Sequence, residues 1–288
     1  MRIAHAPSQV ERQPRAVAIG TFDGVHRGHL AVIQAAVSTG LAPTVVTFDP
    51  HPRVVLGNRV ELITTLERRL ELLAAADVET TLVAAFTPEL MRLEPEQFAE
   101  SYLRAIGAEA VAAGEDFRFG SRRRGDLELL ERLGFEILSV PEVEGVSSTA
   151  IREAVRAGDM AAAARMLGRP YELDGVVVSG DQRGGQLGYP TANIAQDPGL
   201  LYPGDGVYAG FARGHRAAVS IGTNPHYGGT ERRIEPFLLD YSGDLYGERL
   251  VVELWQRLRD QAAFSSEQEL VEQIGRDVEA TRAATRPV

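Results

Sequence analysis

The chain is expected to form an α/β protein in two parts: a doubly wound parallel sheet, then an antiparallel barrel or sandwich closed by one helix. Three observations predict this. In residues 1–168 short apolar runs alternate with helical periodicity. In residues 169–288 the runs are β-rich and separated by Gly, Pro, Asn and Asp. Between the parts, Gly168-Arg169-Pro170 ends the last helical pattern of the first.

Taken in order, the strands of the first part are Ala16–Gly20, Pro43–Phe48, Thr81–Phe86, Ala110–Gly114 and Glu136–Val140. Helical patterns lie between or after them: Leu30–Ser38, Thr65–Ala76, Pro95–Ile106 and Asp126–Leu133. Such apolar strands joined by helices imply a parallel sheet covered on both faces. Ligands of such sheets bind beyond the carboxyl ends of the strands. Two further helices, Thr149–Gly158 and Met160–Leu167, lead to the boundary at residue 168. The second part supplies the runs Gly175–Ser179, Gly206–Ala212, Ala217–Ile221, Glu235–Asp240 and Leu250–Trp255. A last helix starts at Ser266-Glu267-Gln268-Glu269, where Ser caps an orphan amide and Glu269 reaches back, as in a capping box.

Composition narrows the function classes. A net charge of −10 argues against a general nucleic-acid or membrane-surface binder. With no cysteine in 288 residues, disulfides and thiolate metal sites are excluded. Neither a signal-peptide pattern nor a membrane-spanning apolar run is present, so a soluble cytoplasmic protein is expected. An oligomer is compatible with the sequence.

The most informative stretch is residues 16–29, AVAIGTFDGVHRGH. A strand delivers His26, Arg27 and His29 to the start of a helix. That is the wrong charge for a helix N-terminus, unless an outside anion such as phosphate completes the site. Gly20, Gly24 and Gly28 let the backbone approach a ligand closely. The two histidines have no third ligand that would point to a metal. A second segment, GVSSTAIR at 145–152, sets Ser147, Ser148 and Thr149 at a helix start. Counted from Thr149, Arg152 stands where a capping box would hold Glu or Gln, a pattern suited to phosphate oxygens.

In the second part, residues 179–194 read SGDQRGGQLGYPTANI. Gly180, Gly184, Gly185 and Gly188 make an amide-rich loop suited to phosphate. Thr191 and Asn193, two residues apart in an extended segment, share one side and suit Mg²⁺.

Thr21–His29 and Ser147–Arg152 resemble the two signatures of the nucleotidylyltransferase superfamily. Phe48-Asp49-Pro50-His51-Pro52 and Gly114–Gly120 narrow the likeness to the adenylyltransferase module of the prokaryotic bifunctional riboflavin kinase/FAD synthetase family. The second part resembles its riboflavin kinase module through PTAN, Pro203–Tyr208, Ser220–Pro225, Glu235 and Asp244–Gly247. The resemblance spans roughly residues 16–282. It implies a Rossmann-like nucleotidylyltransferase fold followed by a β-barrel. It also implies two reactions, riboflavin to FMN in residues 169–288 and FMN to FAD in residues 1–168. ATP is the donor for both, with Mg²⁺. On the adenylyl side, His26 and His29 would stabilise the transferred phosphoryl, and Ser148, Thr149 and Arg152 would hold the β- and γ-phosphates. Gly20, Phe22, Asp23 and Gly24 belong to the same loop, while Phe48, His51 and Asp116 would line the flavin or metal side. On the kinase side, Thr191 and Asn193 would hold Mg·ATP and Glu235 would be the base.

Two positions depart from the family pattern. Gly185 stands where the family carries Arg, and Pro225-His226-Tyr227 where it reads Pro-Thr-Phe. Arg183, Arg232 or Arg233 are candidate substitutes for the missing arginine. The departures keep two alternatives open: an adenylyltransferase with a weak or silent kinase, and a flavin-binding regulatory protein without turnover.

Overall fold

The computed structural model describes residues 1–179, 188–223 and 232–288. The chain forms two compact units, one of residues 1–60 and 66–146, the other of 61–65 and 147–288.

The first unit is a sheet of β1 (Arg2–Ala4), β2 (Arg15–Ile19), β3 (Ala42–Asp49), β4 (Thr80–Ala85), β5 (Ala108–Gly114) and β6 (Glu136–Val140). Every pairing is parallel, in the order β1-β4-β3-β2-β5-β6. Its helices are α1 (Arg27–Val37), α2 (Pro52–Val55), α3 (Leu66–Ala74), α4 (Pro88–Arg92), α5 (Pro95–Phe98) and α6 (Leu127–Arg132). All five residues of β2 are buried. Val17 and Ile19 join one apolar layer while Ala16 and Ala18 join the other, so the strand is covered on both faces. After β4 the chain crosses from one side of β2 to the other, placing the strand-order reversal between β2 and β5. A crevice at such a reversal is where ligands enter.

Two local expectations change. Arg2–Ala4 is a parallel edge strand too short to read from periodicity. The pattern Pro95–Ile106 is not one helix: α5 passes into a π-turn over Ala99–Leu103 and a 3₁₀ turn over Arg104–Ile106. The wider turn brings residues five apart to one face. Phe98, Leu103 and Ile106 are all buried as a result.

The second unit is a nearly closed antiparallel barrel. Its strands are β7 (Tyr171–Val178), β8 (Asn193–Ile194), β9 (Gly206–Ala212), β10 (His215–Gly222), β11 (Arg233–Leu238) and β12 (Arg249–Arg259). They run in the order β11-β10-β9-β12-β7-β8. The Ala192 amide donates to the Pro236 carbonyl at 2.9 Å, tying the two ends of the sheet together. Barrel closure removes exposed edges. Helices α7 (Ser148–Ala157) and α8 (Met160–Leu167) add Ile151, Val155, Met160, Ala163 and Leu167 to the barrel core. The sequence boundary at 168 therefore differs from the packing boundary, which falls before α7.

Helix α9 (Glu267–Ala283) closes the chain. Ser266 caps it, accepting from the Glu269 amide at 3.2 Å. Glu269, however, reaches back to Ser265, at 3.0 Å from its amide and 2.8 Å from its hydroxyl. These hydrogen bonds, the hydroxyl first, hold the Glu269 carboxyl below the usual carboxylate range.

Residues 61–65 pack with the barrel. Leu62 forms a parallel bridge with Leu200, and Thr65 donates its hydroxyl to Asp174. Asp174 also accepts two bonds from Arg249, at 2.7 and 2.9 Å. Its side chain is 6% exposed. Replacing Asp174 with Asn is expected to destabilise the barrel by about 3 kcal/mol, because Arg249 loses its buried counter-ion. Urea unfolding followed through Trp255, the single tryptophan, measures this. An unchanged midpoint would show the pair to be dispensable.

Candidate active sites

The loop after β2 turns sharply. Phe22 and Val25 hold φ of 50° and 40°, left-handed values that are strained for these side chains. The Val25 amide closes the turn onto the Phe22 carbonyl at 3.1 Å. Phe22, Asp23, Gly24, Val25 and His26 are all buried. A side chain at Gly20 would stand 3.3 Å from the Phe22 ring, and one at Gly28 would stand 3.2 Å from the His26 ring. Both glycines thus make room for the aromatic side chains that shape the loop.

His26 and His29 are brought face to face. Their rings stack 3.5 Å apart with an interplanar angle of 16°, and the Phe22 edge meets His29 at 5.3 Å. His26 is itself the N-cap of α1: its Nδ1 accepts from the His29 amide at 3.2 Å. An accepting Nδ1 is unprotonated, which leaves the ring proton on Nε2. The helix start that looked mismatched by charge is thus capped by one of its own imidazoles.

The ends of β3 and β5, the two neighbours of β2, carry the other expected residues. His51 is buried and caps α2, accepting from the Arg53 amide at 3.2 Å. Phe48 meets the Phe86 ring edge-on at 5.7 Å, as part of the aromatic layer beneath the sheet edge. Asp116 is exposed, two residues beyond β5. His26, His51 and Asp116 therefore follow three adjacent strands at the same carboxyl edge.

Sequence reasoning missed a buried cation here. Arg69 of α3 is 0% exposed, and its Nη1 donates to the Thr21 and Phe48 carbonyls, each at 3.2 Å. Burial pushes its guanidinium below the ordinary arginine range, while Asp23 and Asp49 oppose that shift. A signal existed: Arg69 stands three residues after Leu66 and four before Leu73, on the apolar stripe of its helix.

Ser148, Thr149 and Arg152 lie in α7, which belongs to the second unit. The N-cap is Ser147, whose hydroxyl accepts from the Ala150 amide at 3.1 Å. Counting from Ser147 moves Arg152 out of the first turn, correcting the count made from Thr149. Arg152 is 8% exposed and donates through Nε to the Glu61 carbonyl at 2.7 Å.

The barrel holds a cleft of about 540 Å³ lined by Thr191, Asn193, Pro236, Tyr241, Asp244 and Tyr246, among others. Asn193 is fixed by its pairing with Val178 at the start of β8. Thr191 and Asn193 supply a hydroxyl and a carboxamide to this one cleft. Glu235 is half-buried on β11, opposite Ser220. Pro236 and Leu238 line the cleft but Glu235 does not, as strand alternation requires. Phe237, on the same side of the strand as Glu235, meets the Tyr189 ring edge-on at 5.4 Å. Gly188 has φ of 84°. Gly180, Gly184, Gly185, Arg183 and Pro225-His226-Tyr227 lie outside the described residues. Of the candidate substitutes for the loop arginine, Arg232 pairs with Asp205 at 2.7 Å. Among the described residues no group of three or more His, Asp or Glu could hold a metal ion. No helix among them is long and apolar enough to cross a membrane.

Comparison with known proteins covers both parts. A family model described as FAD synthetase matches residues 8–153, and one described as riboflavin kinase matches residues 167–285. The bifunctional riboflavin kinase/FMN adenylyltransferase of Listeria monocytogenes is 37% identical over 288 residues, 93% of this chain and 92% of the relative. The protein of that name from Escherichia coli K12 is 35% identical, over 96% of this chain and 95% of its own. A crystal structure described as a macrolide-efflux protein from Streptococcus pneumoniae aligns with TM-score 0.86 and 32% identity, over 97% of this chain and 98% of that one.

Proposed function

The chain belongs to the bifunctional riboflavin kinase/FMN adenylyltransferase family, and from that premise we propose how its residues divide the two reactions. The enzyme phosphorylates riboflavin to FMN and adenylylates FMN to FAD. We assign adenylyl transfer to residues 1–168 and riboflavin phosphorylation to residues 169–288.

In adenylyl transfer, an FMN phosphate oxygen bonds to the α-phosphorus of ATP. The bond from that phosphorus to the bridging oxygen breaks, and pyrophosphate leaves with the charge. His26 presents Nε2–H to the phosphate oxygens, since its Nδ1 is engaged by the helix it caps. His29 is held beside it by the 3.5 Å stack. Donors fixed before reaction stabilise developing charge without reorganising. Ser148, Thr149 and Arg152 are assigned to the β- and γ-phosphates. Phe48, His51 and Asp116 are assigned to the flavin side.

In the kinase reaction, the riboflavin 5′-oxygen bonds to the γ-phosphorus, its proton passes to Glu235, and ADP leaves. Thr191 and Asn193 offer hard oxygen donors in one cleft, which fits Mg²⁺, an ion that takes few protein ligands beside phosphate and water. When bound, the ion neutralises charge on the phosphates. ATP, riboflavin, FMN and FAD are the partners, with no nucleic acid or membrane, and we place the enzyme in the cytoplasm, where its ATP is.

The observation that carries this reading is the stacked histidine pair beside the strand-order reversal, in a chain that also carries the Thr191–Asn193 cleft. Incubation with riboflavin, ATP and Mg²⁺ is expected to yield FMN and then FAD, resolved by chromatography. No FAD from supplied FMN would overturn the reading. FAD from FMN without FMN from riboflavin would mean a silent kinase. Tight flavin retention without ATP consumption would mean a binding protein.

A further inference from the structure

Arg69 has no part in the assignments above, yet it is the most completely buried cation of the first unit's carboxyl edge. Its Nη1 bridges the Thr21 and Phe48 carbonyls, each at 3.2 Å. Thr21 opens the loop that carries His26 and His29, and Phe48 opens the segment that leads to His51. The Thr21 carbonyl also accepts from the Thr47 hydroxyl at 3.0 Å, so β2 and β3 are fastened side by side at this edge. Nε and Nη2 of Arg69 are buried with no hydrogen-bond partner. Such a group is costly in a merely structural role, where a neutral side chain would fill the space. The carboxylates that support its charge, Asp23 and Asp49, sit on the same two chain segments. Arg15 makes a useful contrast. It is buried at the opposite edge of the sheet, where its contacts with the Thr44 and Thr80 hydroxyls join strands far from any assigned residue.

We propose that Arg69 is a positioning residue for adenylyl transfer, a staple that sets the spacing between the His26–His29 loop and the Phe48–His51 segment. The inference rests on the function assigned above, in which the first loop handles the ATP phosphates and the second the flavin. A planar fork is needed, because one nitrogen serves two carbonyls while the rest of the guanidinium stays oriented toward both segments. A lysine keeps the charge and loses that geometry. In-line transfer between two bound substrates is sensitive to such spacing: a misplacement of about 1 Å costs on the order of 100-fold in rate.

The test compares wild type, Arg69→Lys and Arg69→Met in both reactions, with thermal unfolding and amide hydrogen exchange of the same preparations. Both variants are expected to lose about 100-fold in kcat for FAD formation. KM for ATP and FMN should change far less, and riboflavin phosphorylation should stay at the wild-type rate. Exchange should rise in residues 20–29 and 48–55. Wild-type kcat in Arg69→Lys, or a raised KM with kcat retained, overturns the proposal. So does a loss of FAD formation that disappears well below the melting temperature, since that marks stability alone. Should Arg69→Met fail to fold, Arg69→Lys decides. Wild-type protein that makes no FAD overturns the assigned function itself, and is thereby distinguished from a variant effect.

Discussion

Replacing His29 with Ala is expected to abolish FAD formation from FMN and ATP while FMN formation from riboflavin continues at the wild-type rate. His29 stacks on His26 at 3.5 Å and takes the Phe22 edge at 5.3 Å, so its ring is oriented before substrate arrives. Removing one preorganised donor to a developing oxyanion costs about 10²–10³ in kcat, or roughly 3–4 kcal/mol. His26 also loses the ring it stacks on, which should place the effect at the upper end. The Nδ1 contact of His26 uses the backbone amide of residue 29, so the α1 cap survives the substitution. Chromatographic rates for each step, on a preparation with native circular dichroism, measure the outcome. Loss of both activities in folded protein would show the division between the two parts to be wrong.

Glu235→Gln is expected to do the reverse. FMN formation should fall by about 10²–10⁴, the usual contribution of a positioned general base. FAD formation from supplied FMN should be unaffected. Glutamine keeps the size and hydrogen-bonding reach of the side chain and cannot take the proton, so β11 and its register with Ser220 are undisturbed. A variant that phosphorylates riboflavin normally would remove Glu235 from the mechanism and leave it a strand carboxylate. The placement of Glu235 gives the experiment its point. Strand alternation sets it off the wall that Pro236 and Leu238 give to the cleft, so the base and the Thr191–Asn193 pair approach the reaction from different sides of β11.

Much of the fold was legible because local patterns and tertiary burial agree. The run Ala16–Ile19 is apolar at every position, and β2 is buried on both faces. Gly206–Ala212 matches β9, and Met160–Leu167 matches α8, which stops at Gly168 with φ of 75°. Where pattern and burial part, the reading slips. The helix expected over Pro95–Ile106 is broken by a π-turn, because Phe98 and Leu103 must face the same layer. The Ser266 cap is local and readable, but the return bond of Glu269 goes one residue further than the capping-box pattern implies.

The sequence by itself determined the chemistry: two imidazoles at a helix start, a hydroxyl–carboxamide pair, and a strand glutamate, each carried by a short contiguous motif. Those features are local, and residue type and spacing suffice to state them. Tertiary structure alone decided three others. Packing placed α7, α8 and residues 61–65 with the barrel, through contacts such as Leu62 with Leu200 that no local period encodes. It made His26 a cap rather than a misplaced cation. It also buried Arg69 between two strand ends contributed by Thr21 and Phe48, residues far from it in sequence. Burial and hydrogen-bond partners across such separations depend on how the elements stack, and that is settled only once the sheet has formed.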